Sequence, residues 1–500
     1  MIAVVALSGG AVFLVLGLLL GLSPREGFLF AIGVTVALVP EGLLPTVTLS
    51  LALGATRMAN HGALVRRLDA VQALGSTTFV CSDKTGTLTA NQMTAIEVWT
   101  PSGRCSVRGD GYAPGLELLG LVGLLDPPRP EVRRAIERCH AAGMRIAMVT
   151  GDHAGTARAI AERVGLRADL VVRGDELPAD DEELGALVDR DGVIACRVSP
   201  EQKLRIAKAL QQRGHVVAMT GDGVNDAPAL RQADVGVAMG KSGTDVARAA
   251  ADLVLLDDRF ETIVLAIEQG RASFANIRRF LTYHLTDNVA ELMPFAVWAL
   301  SGGRFPLALG VLQVLCLDLL TDQLPALALG SEPPSPKLSR GRVRDSRLID
   351  KTLLIRAFAV FGPVEAVLSL SAFTAVLLEL GWSPGSTPSG PALRAASGAA
   401  FAAVVVGQAA TALACRSVSR PALRVSLSNN PLIAAALIVT WALVAALLYV
   451  PGLARLLGHG PPTPLGYLVA SAAFPAVLLA DWALKSRQLG RGTETPRIRP

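Results

Sequence analysis

The chain has 500 residues, too long for one compact domain and suited to two to four. Only 18% of its residues are charged and 51% are hydrophobic, whereas soluble domains carry about 25% charged residues, which excludes a disordered chain and argues against a purely soluble enzyme. The net charge of +5 is too small over this length to argue for nucleic acid, and six cysteines with no Cys-x-x-Cys pair suggest neither a zinc knuckle nor a disulfide framework.

The apolar residues are unevenly spread. Apolar runs occupy 2–22 and 27–53, and a long stretch of ordinary soluble composition follows. Apolar stretches return at 284–301, 305–330, 354–381, 398–415, 431–450 and 464–484. A helix crosses a bilayer in roughly 20 residues. About eight spans are therefore expected, two before the soluble insert and six after it. The first run lacks a basic start and a cleavage site, so it reads as a span and not a signal peptide. The expected layout is two spans in 1–53, a soluble domain in 54–280 and two spans in 281–330. A basic loop (331–353), four spans (354–484) and a basic tail (485–500) complete it.

Loop charge sets the expected orientation. Lys337, Arg340, Arg342, Arg344, Arg347 and Lys351 crowd one loop, and Arg416, Arg420 and Arg424 another. After the insert, the alternate loops hold only Arg304, Arg394 and Arg455. Basic loops stay on the cytoplasmic side. The insert and both termini are thus expected in the cytoplasm of a multi-pass plasma-membrane protein.

Within the insert, strands are expected at Thr78–Ser82, Arg145–Thr150, Val193–Cys196, His215–Thr220, Val235–Ala238 and Leu253–Leu256. Helices are expected between them, as at 130–142, 155–165 and 200–213. This alternation predicts a parallel, Rossmann-like α/β sheet covered on both faces. Chemistry in such sheets collects at the carboxyl ends of the strands.

Three of those ends carry polar motifs: Cys81-Ser82-Asp83-Lys84-Thr85-Gly86-Thr87, Thr150-Gly151-Asp152 and Thr220-Gly221-Asp222-Gly223-Val224-Asn225-Asp226. Lys203 opens a fourth, helical element. A carboxylate at a strand end can attack phosphorus and become an aspartyl phosphate. The transferred group spreads charge over three oxygens, so positioning and cations do most of the catalysis. Asp222 can join Asp83 in holding Mg²⁺, a hard cation that prefers carboxylates. Thr150 and Lys203 would bind the remaining oxygens, and Asn225 and Asp226 could support the metal or the loop. Taken alone, Thr150-Gly151-Asp152 reads equally well as a helix cap.

The membrane runs carry polar groups too. Val39-Pro40-Glu41-Gly42-Leu43-Leu44-Pro45 would unwind its helix, because proline lacks a donor and constrains its neighbour. Broken helices are a way to build an ion site. Asp287, Asn288 and Glu291 lie in the third span, and Asp318, Thr321 and Asp322 in the fourth. Residues four apart share a helix face. A carboxylate facing lipid costs about 2.5–3.5 kcal/mol at mid-membrane, so these groups should face one another and bind a cation or protons. Gln408 is either a further ligand or a helix–helix hydrogen bond.

Asp83-Lys84-Thr85-Gly86-Thr87-Leu88-Thr89 and the run from Thr220 to Leu230 resemble the signatures of P-type cation-transporting ATPases, which are haloacid-dehalogenase-like phosphotransferases. The resemblance implies that Asp83 is phosphorylated from ATP. It implies that Thr85 offers its backbone carbonyl to Mg²⁺ and Asp222 its carboxylate. Lys84, Thr150, Gly151, Asp152, Lys203 and Asn225 would handle the phosphoryl group and nucleotide. Asp126-Pro127-Pro128-Arg129 and the stretch 240–258 resemble the same domain. The Pro40–Pro45 motif and the Asp318–Asp322 pattern are similar to the calcium-pump and sodium–potassium-pump branch. Heavy-metal pumps carry a Cys-Pro pair where this chain has Val39-Pro40, which argues against copper or cadmium.

Family members of this branch also carry ten spans, an actuator domain with a Thr-Gly-Glu loop and a nucleotide-binding domain. Thr-Gly-Glu does not occur here, and only about 40 residues separate the Asp83 motif from Asp126. A domain needs upwards of about 50. The nucleotide-binding insert near 100–116 is therefore expected to be essentially absent, and a separate chain is one source of the lost parts. The alternatives are a membrane-tethered phosphatase using Asp83 and a non-catalytic ion-binding remnant. Such phosphatases usually place an acid where this chain has Thr85.

Overall fold

The computed structural model describes residues 2–19, 21, 23–37, 42–100, 103–106, 121–334 and 348–491. Glu41, most of the basic loop, the end of the tail and much of the shortened insert lie outside them. The chain divides into an α/β unit within Leu51–Phe274 and a helical unit drawn from the residues before and after it.

The α/β unit is built on an eight-stranded sheet. Its strands are β1 (Ala63–Val65), β2 (Phe79–Ser82), β6 (Arg145–Val149), β7 (Leu170–Arg173), β8 (Val193–Cys196), β9 (Val217–Gly221), β10 (Val235–Met239) and β11 (Leu253–Leu255). Their spatial order is β1-β11-β10-β9-β2-β6-β8-β7. Every pairing is parallel except the antiparallel edge β1–β11. Strands β2, β8, β9 and β10 are buried at every residue, as the inner strands of a sheet covered on both faces must be. Phe79, Cys81, Ile206, Leu210, Val217 and Leu230 share one core cluster.

Local chemistry sets the helix ends. Ser199 accepts the Gln202 N–H and the Gln202 side chain reaches back, so helix Pro200–Gln212 starts in a capping box with proline in its first turn. Helix Ala154–Val164 stops at Gly165, whose φ of 85° suits glycine. A second, antiparallel sheet was not expected. It orders β4 (Gly103–Ser106), β3 (Thr94–Thr100) and β5 (Leu121–Leu125) as β4-β3-β5. The β-branched and aromatic run Thr94-Ala95-Ile96-Glu97-Val98-Trp99-Thr100 was a readable signal for it.

In the helical unit, five helices are long and apolar enough to cross a membrane. They are Val311–Gly330, Lys351–Glu379, Gly390–Cys415, Pro431–Tyr449 and Pro464–Arg487. The eight expected spans thus reduce to five by this measure among the described residues. The expected 284–301 span lies in a 41-residue helix, Phe260–Leu300, where Asp287, Asn288 and Glu291 dilute the apolar run. The expected 27–53 span is two helices, Pro24–Ala37 and Leu43–Asn60. The first apolar helix runs over Ile2–Leu19. Helix Gly390–Cys415 is rich in small residues and almost wholly buried, which lets neighbours approach closely. A Cβ on Gly407 would press on the Glu365 side chain.

Two expectations change in detail. Residues 317–321 form a π-helical turn within Val311–Gly330, closed by the Asp322 N–H on the Leu317 carbonyl at 2.9 Å. Lys485, expected at the head of a basic tail, is instead buried beside Asp481 and bonds the Ala414 carbonyl at 2.9 Å.

Candidate functional site

Strands β9, β2, β6 and β8 lie side by side and parallel, so their carboxyl ends open on one edge of the sheet. Asp83 leaves β2 with its N–H on Thr220 Oγ1 at 3.2 Å. Its Oδ1 accepts the Lys84 N–H at 2.7 Å. Lys203 Nζ donates to Asp83 Oδ2 at 2.6 Å and to Asp226 Oδ1 at 2.8 Å. The other Asp226 oxygen accepts the N–H groups of Asp222 (3.2 Å) and Gly223 (3.0 Å). One carboxylate oxygen from each of Asp83, Asp222 and Asp226 lies within 4.8 Å of the others.

The turn after Asp83 needs glycine. Gly86 has a φ of 67°, and a Cβ there would run into the Asp222 carboxylate. Arg129 holds this turn, donating to the carbonyls of Gly86 at 3.0 Å and Thr89 at 3.1 Å. Asp126 accepts from the Thr89 hydroxyl and, at 3.0 Å, from the Gln92 N–H.

Burial pushes the Asp83 carboxyl up to about 6, against the opposing pull of Lys203. Burial also raises Asp222, and the nearby Asp226 charge adds to it. Burial alone would lower Lys203, but Asp83 and Asp226 more than reverse this and raise it, so it stays an ammonium. Two carboxylates with raised proton affinity around a Gly-lined turn fit a hard divalent cation.

The expected residues converge unequally. Asp83, Lys203, Asp222 and Asp226 come together, with Asp226 as the second partner of Lys203. Lys84 forms an ion pair with Asp152, which ties the first motif to the second. The Thr150 hydroxyl accepts the Asp152 N–H at 3.2 Å within the turn, and the helix that follows is capped by His153, whose side chain accepts the Gly155 N–H. Gly151 and Asn225 are exposed, and Thr85 is half-buried. Thr220 was missed as an anchor of Asp83, though it begins the third motif.

A second cluster lies in the helical unit. Asp287, Asn288, Glu291, Asp318, Thr321 and Asp322 are all buried. Glu365 and His284, which sequence reading missed, join them. Glu365 accepts from the Thr411 hydroxyl, and its carboxyl and that of Asp322 are neighbours of Asp287. Thr321 donates to Gln408 Oε1 at 3.2 Å, so Gln408 makes a helix–helix bond here. Neither Asp287 oxygen has a donor among the described residues. Glu365 was legible as an acid inside the 354–381 apolar run.

Comparison with known proteins bears on both clusters. Residues 306–487 match the family model of the cation transporting ATPase C-terminus, and residues 103–234 that of haloacid dehalogenase-like hydrolases. A Mycobacterium tuberculosis protein named "Probable cation-transporting ATPase F" is 32% identical over 593 aligned positions, covering 83% of this chain and 63% of the relative. The human sodium/potassium-transporting ATPase subunit alpha-4 is 29% identical, covering 77% of this chain and 57% of its own length. Subunit alpha-A of Artemia franciscana is 30% identical, with coverage of 77% and 58%. The chain thus spans less than two thirds of the length of these relatives. Because 83% of 500 residues is about 415, on the order of 180 of the 593 positions hold no residue of this chain.

Proposed function

Because the chain belongs to the P-type cation-transporting ATPases, we propose that it forms an aspartyl phosphate at Asp83 and couples that step to cation movement through its membrane helices. The Lys203 ammonium bridging Asp83 and Asp226, with Asp222 within reach, is the observation that carries this reading. A carboxylate oxygen of Asp83 attacks the γ-phosphorus of ATP. The bond from that phosphorus to the ADP oxygen breaks, and ADP leaves with the electron pair. Lys203 follows the charge from the carboxylate to the arriving phosphoryl oxygens. Asp226 keeps Lys203 in place and, through the Gly223 N–H, holds the loop that presents Asp222. Asp83 and Asp222, with the Thr85 carbonyl, would hold Mg²⁺, which when bound neutralises phosphoryl charge. Thr150 would take a phosphoryl oxygen, with Lys84, Gly151, Asp152 and Asn225 at the rim.

The cation would bind among Asp287, Asn288, Glu291, Asp318, Thr321 and Asp322, together with Glu41. The aligned positions that this chain does not fill support the reading that nucleotide binding depends on parts outside it, a separate chain being one source. The reading places the chain as a multi-pass protein of the plasma membrane, and the loop charges support a cytoplasmic α/β unit. The test is labelled ATP on membranes carrying the chain. An acid-stable, hydroxylamine-sensitive phosphoenzyme, absent in Asp83→Asn, is expected. No label at millimolar ATP, with the separate domains supplied, would overturn the reading.

A further inference from the structure

The helical unit brings an imidazole into its carboxylate cluster. The ligand atoms of His284, Asp318 and Asp322 all lie within 4.8 Å of one another, and the three side chains are buried. His284 Nδ1 is 3.0 Å from Asp322 Oδ2, and the ring stacks on Phe280 with centroids 5.6 Å apart. The other Asp322 oxygen is buried with no donor among the described residues, and Asp287 brings two more such oxygens close to it. The π-helical turn at 317–321 sets the facing of Asp318 and Asp322. Such turns recur at functional sites.

The mixed donor set narrows the ligand. Ca²⁺ takes six to eight oxygens, and Mg²⁺ demands an octahedron of them. Imidazole instead suits Zn²⁺ and its first-row neighbours. One nitrogen and two carboxylates, with a position left open, is a set from which such an ion can exchange. Donors around a tetrahedral zinc stand about 3.3–3.6 Å apart, given bonds of about 2.0–2.2 Å. The His284–Asp322 separation of 3.0 Å is a little under that value, and all three ligand atoms lie within 4.8 Å of one another. Two aspartates also neutralise a divalent ion, where burial makes uncompensated charge expensive.

We propose that His284, Asp318 and Asp322 form a site for a divalent first-row transition metal of the Zn²⁺ type, and that this is the class of cation the chain carries. The proposal rests on the cation-transport reading above. The competing role for His284 is a built-in positive charge paired with Asp322.

The test is direct binding of Zn²⁺ to the purified full chain in micelles, by competition with a chromophoric chelator. It requires no turnover. Binding on the order of 100-fold weaker is expected in His284→Gln and in Asp322→Asn. The exposed His61→Gln should bind as the parent does. Co²⁺ should show visible absorption bands of a low-symmetry nitrogen–oxygen site, lost in His284→Gln. His284→Lys preserves the charge pair and hence the packing. Full Zn²⁺ binding by that variant, or equal affinity in His284→Gln, overturns the proposal. If Zn²⁺ binding does not depend on Asp322 while Ca²⁺ or Na⁺ binding does, the metal class is wrong and the cation-transport reading survives. If no cation binds in an Asp322-dependent way, both fall.

Discussion

The two carboxylate clusters differ in how their oxygens are satisfied. In the α/β unit, both oxygens of Asp83 and both of Asp226 accept hydrogen bonds, and one lysine joins the two side chains. In the helical unit, neither Asp287 oxygen has a donor among the described residues, nor does one oxygen each of Asp322 and Glu365. The first arrangement is preorganised, with fixed donors waiting for charge that develops in a reaction. The second carries desolvated acceptors whose burial is unfavourable until a cation or proton joins them. On the proposed function, the first is a reacting site, which gains from rigidity, and the second a carrying site, which must bind and then release.

Four experiments would break or sharpen that contrast. The largest effect is expected for Asp83→Asn, which removes the attacking oxygen and should abolish the acid-stable phosphoenzyme. Any label that survives places the chemistry elsewhere. Next is Lys203→Ala. Loss of a charge-stabilising donor lowers a rate by roughly 10²–10³-fold, to be read by single-turnover labelling. The same change leaves Asp83 and Asp226 buried without their cation, so the α/β unit should also melt earlier in calorimetry.

A pH effect of about ten-fold follows from the Asp83 carboxyl, pushed up to about 6 by burial. Below that value it is protonated and cannot attack, so labelling should fall about ten-fold between pH 7 and pH 5. The folded carboxyl holds its proton more tightly than the unfolded one, whose ordinary value is 3.8. Lowering the pH through this window therefore favours the folded state at this site. Loss of label with a lower melting temperature at pH 5 would point to another group.

The smallest effect is the sharpest comparison. Asp226→Asn weakens a satisfied network and should lower the melting temperature. Asp287→Asn removes charge from acceptors without donors, and in cation-free protein should raise it by a few degrees at most, about 2 °C. If both variants move it the same way, the two clusters are not different in kind.

Much of the α/β unit was legible in the sequence. Strands β2, β6, β8, β9, β10 and β11 begin and end within a few residues of expectation, because buried inner strands are short continuous apolar runs. Strands β1 and β7 and the small sheet escaped notice, lying at edges or under a mixed pattern. In the helical unit the acids of 281–330 stood out because charge is rare in an apolar run.

The sequence by itself singled out Asp83 as the candidate reacting carboxylate and separated an α/β part from an apolar helical part. Both depend on residue order within a few positions. Only the tertiary structure decided which side chains meet. Lys203 reaches Asp83 across 120 residues, and Thr411 reaches Glu365 across 46. Those meetings depend on how strands are ordered and how far each helix is rotated. Asp318 lies in the five-residue turn at 317–321 and Asp322 directly follows it, and His284 meets Asp322 from another helix. No local pattern encodes that rotation, because it is set by packing between helices far apart in the chain.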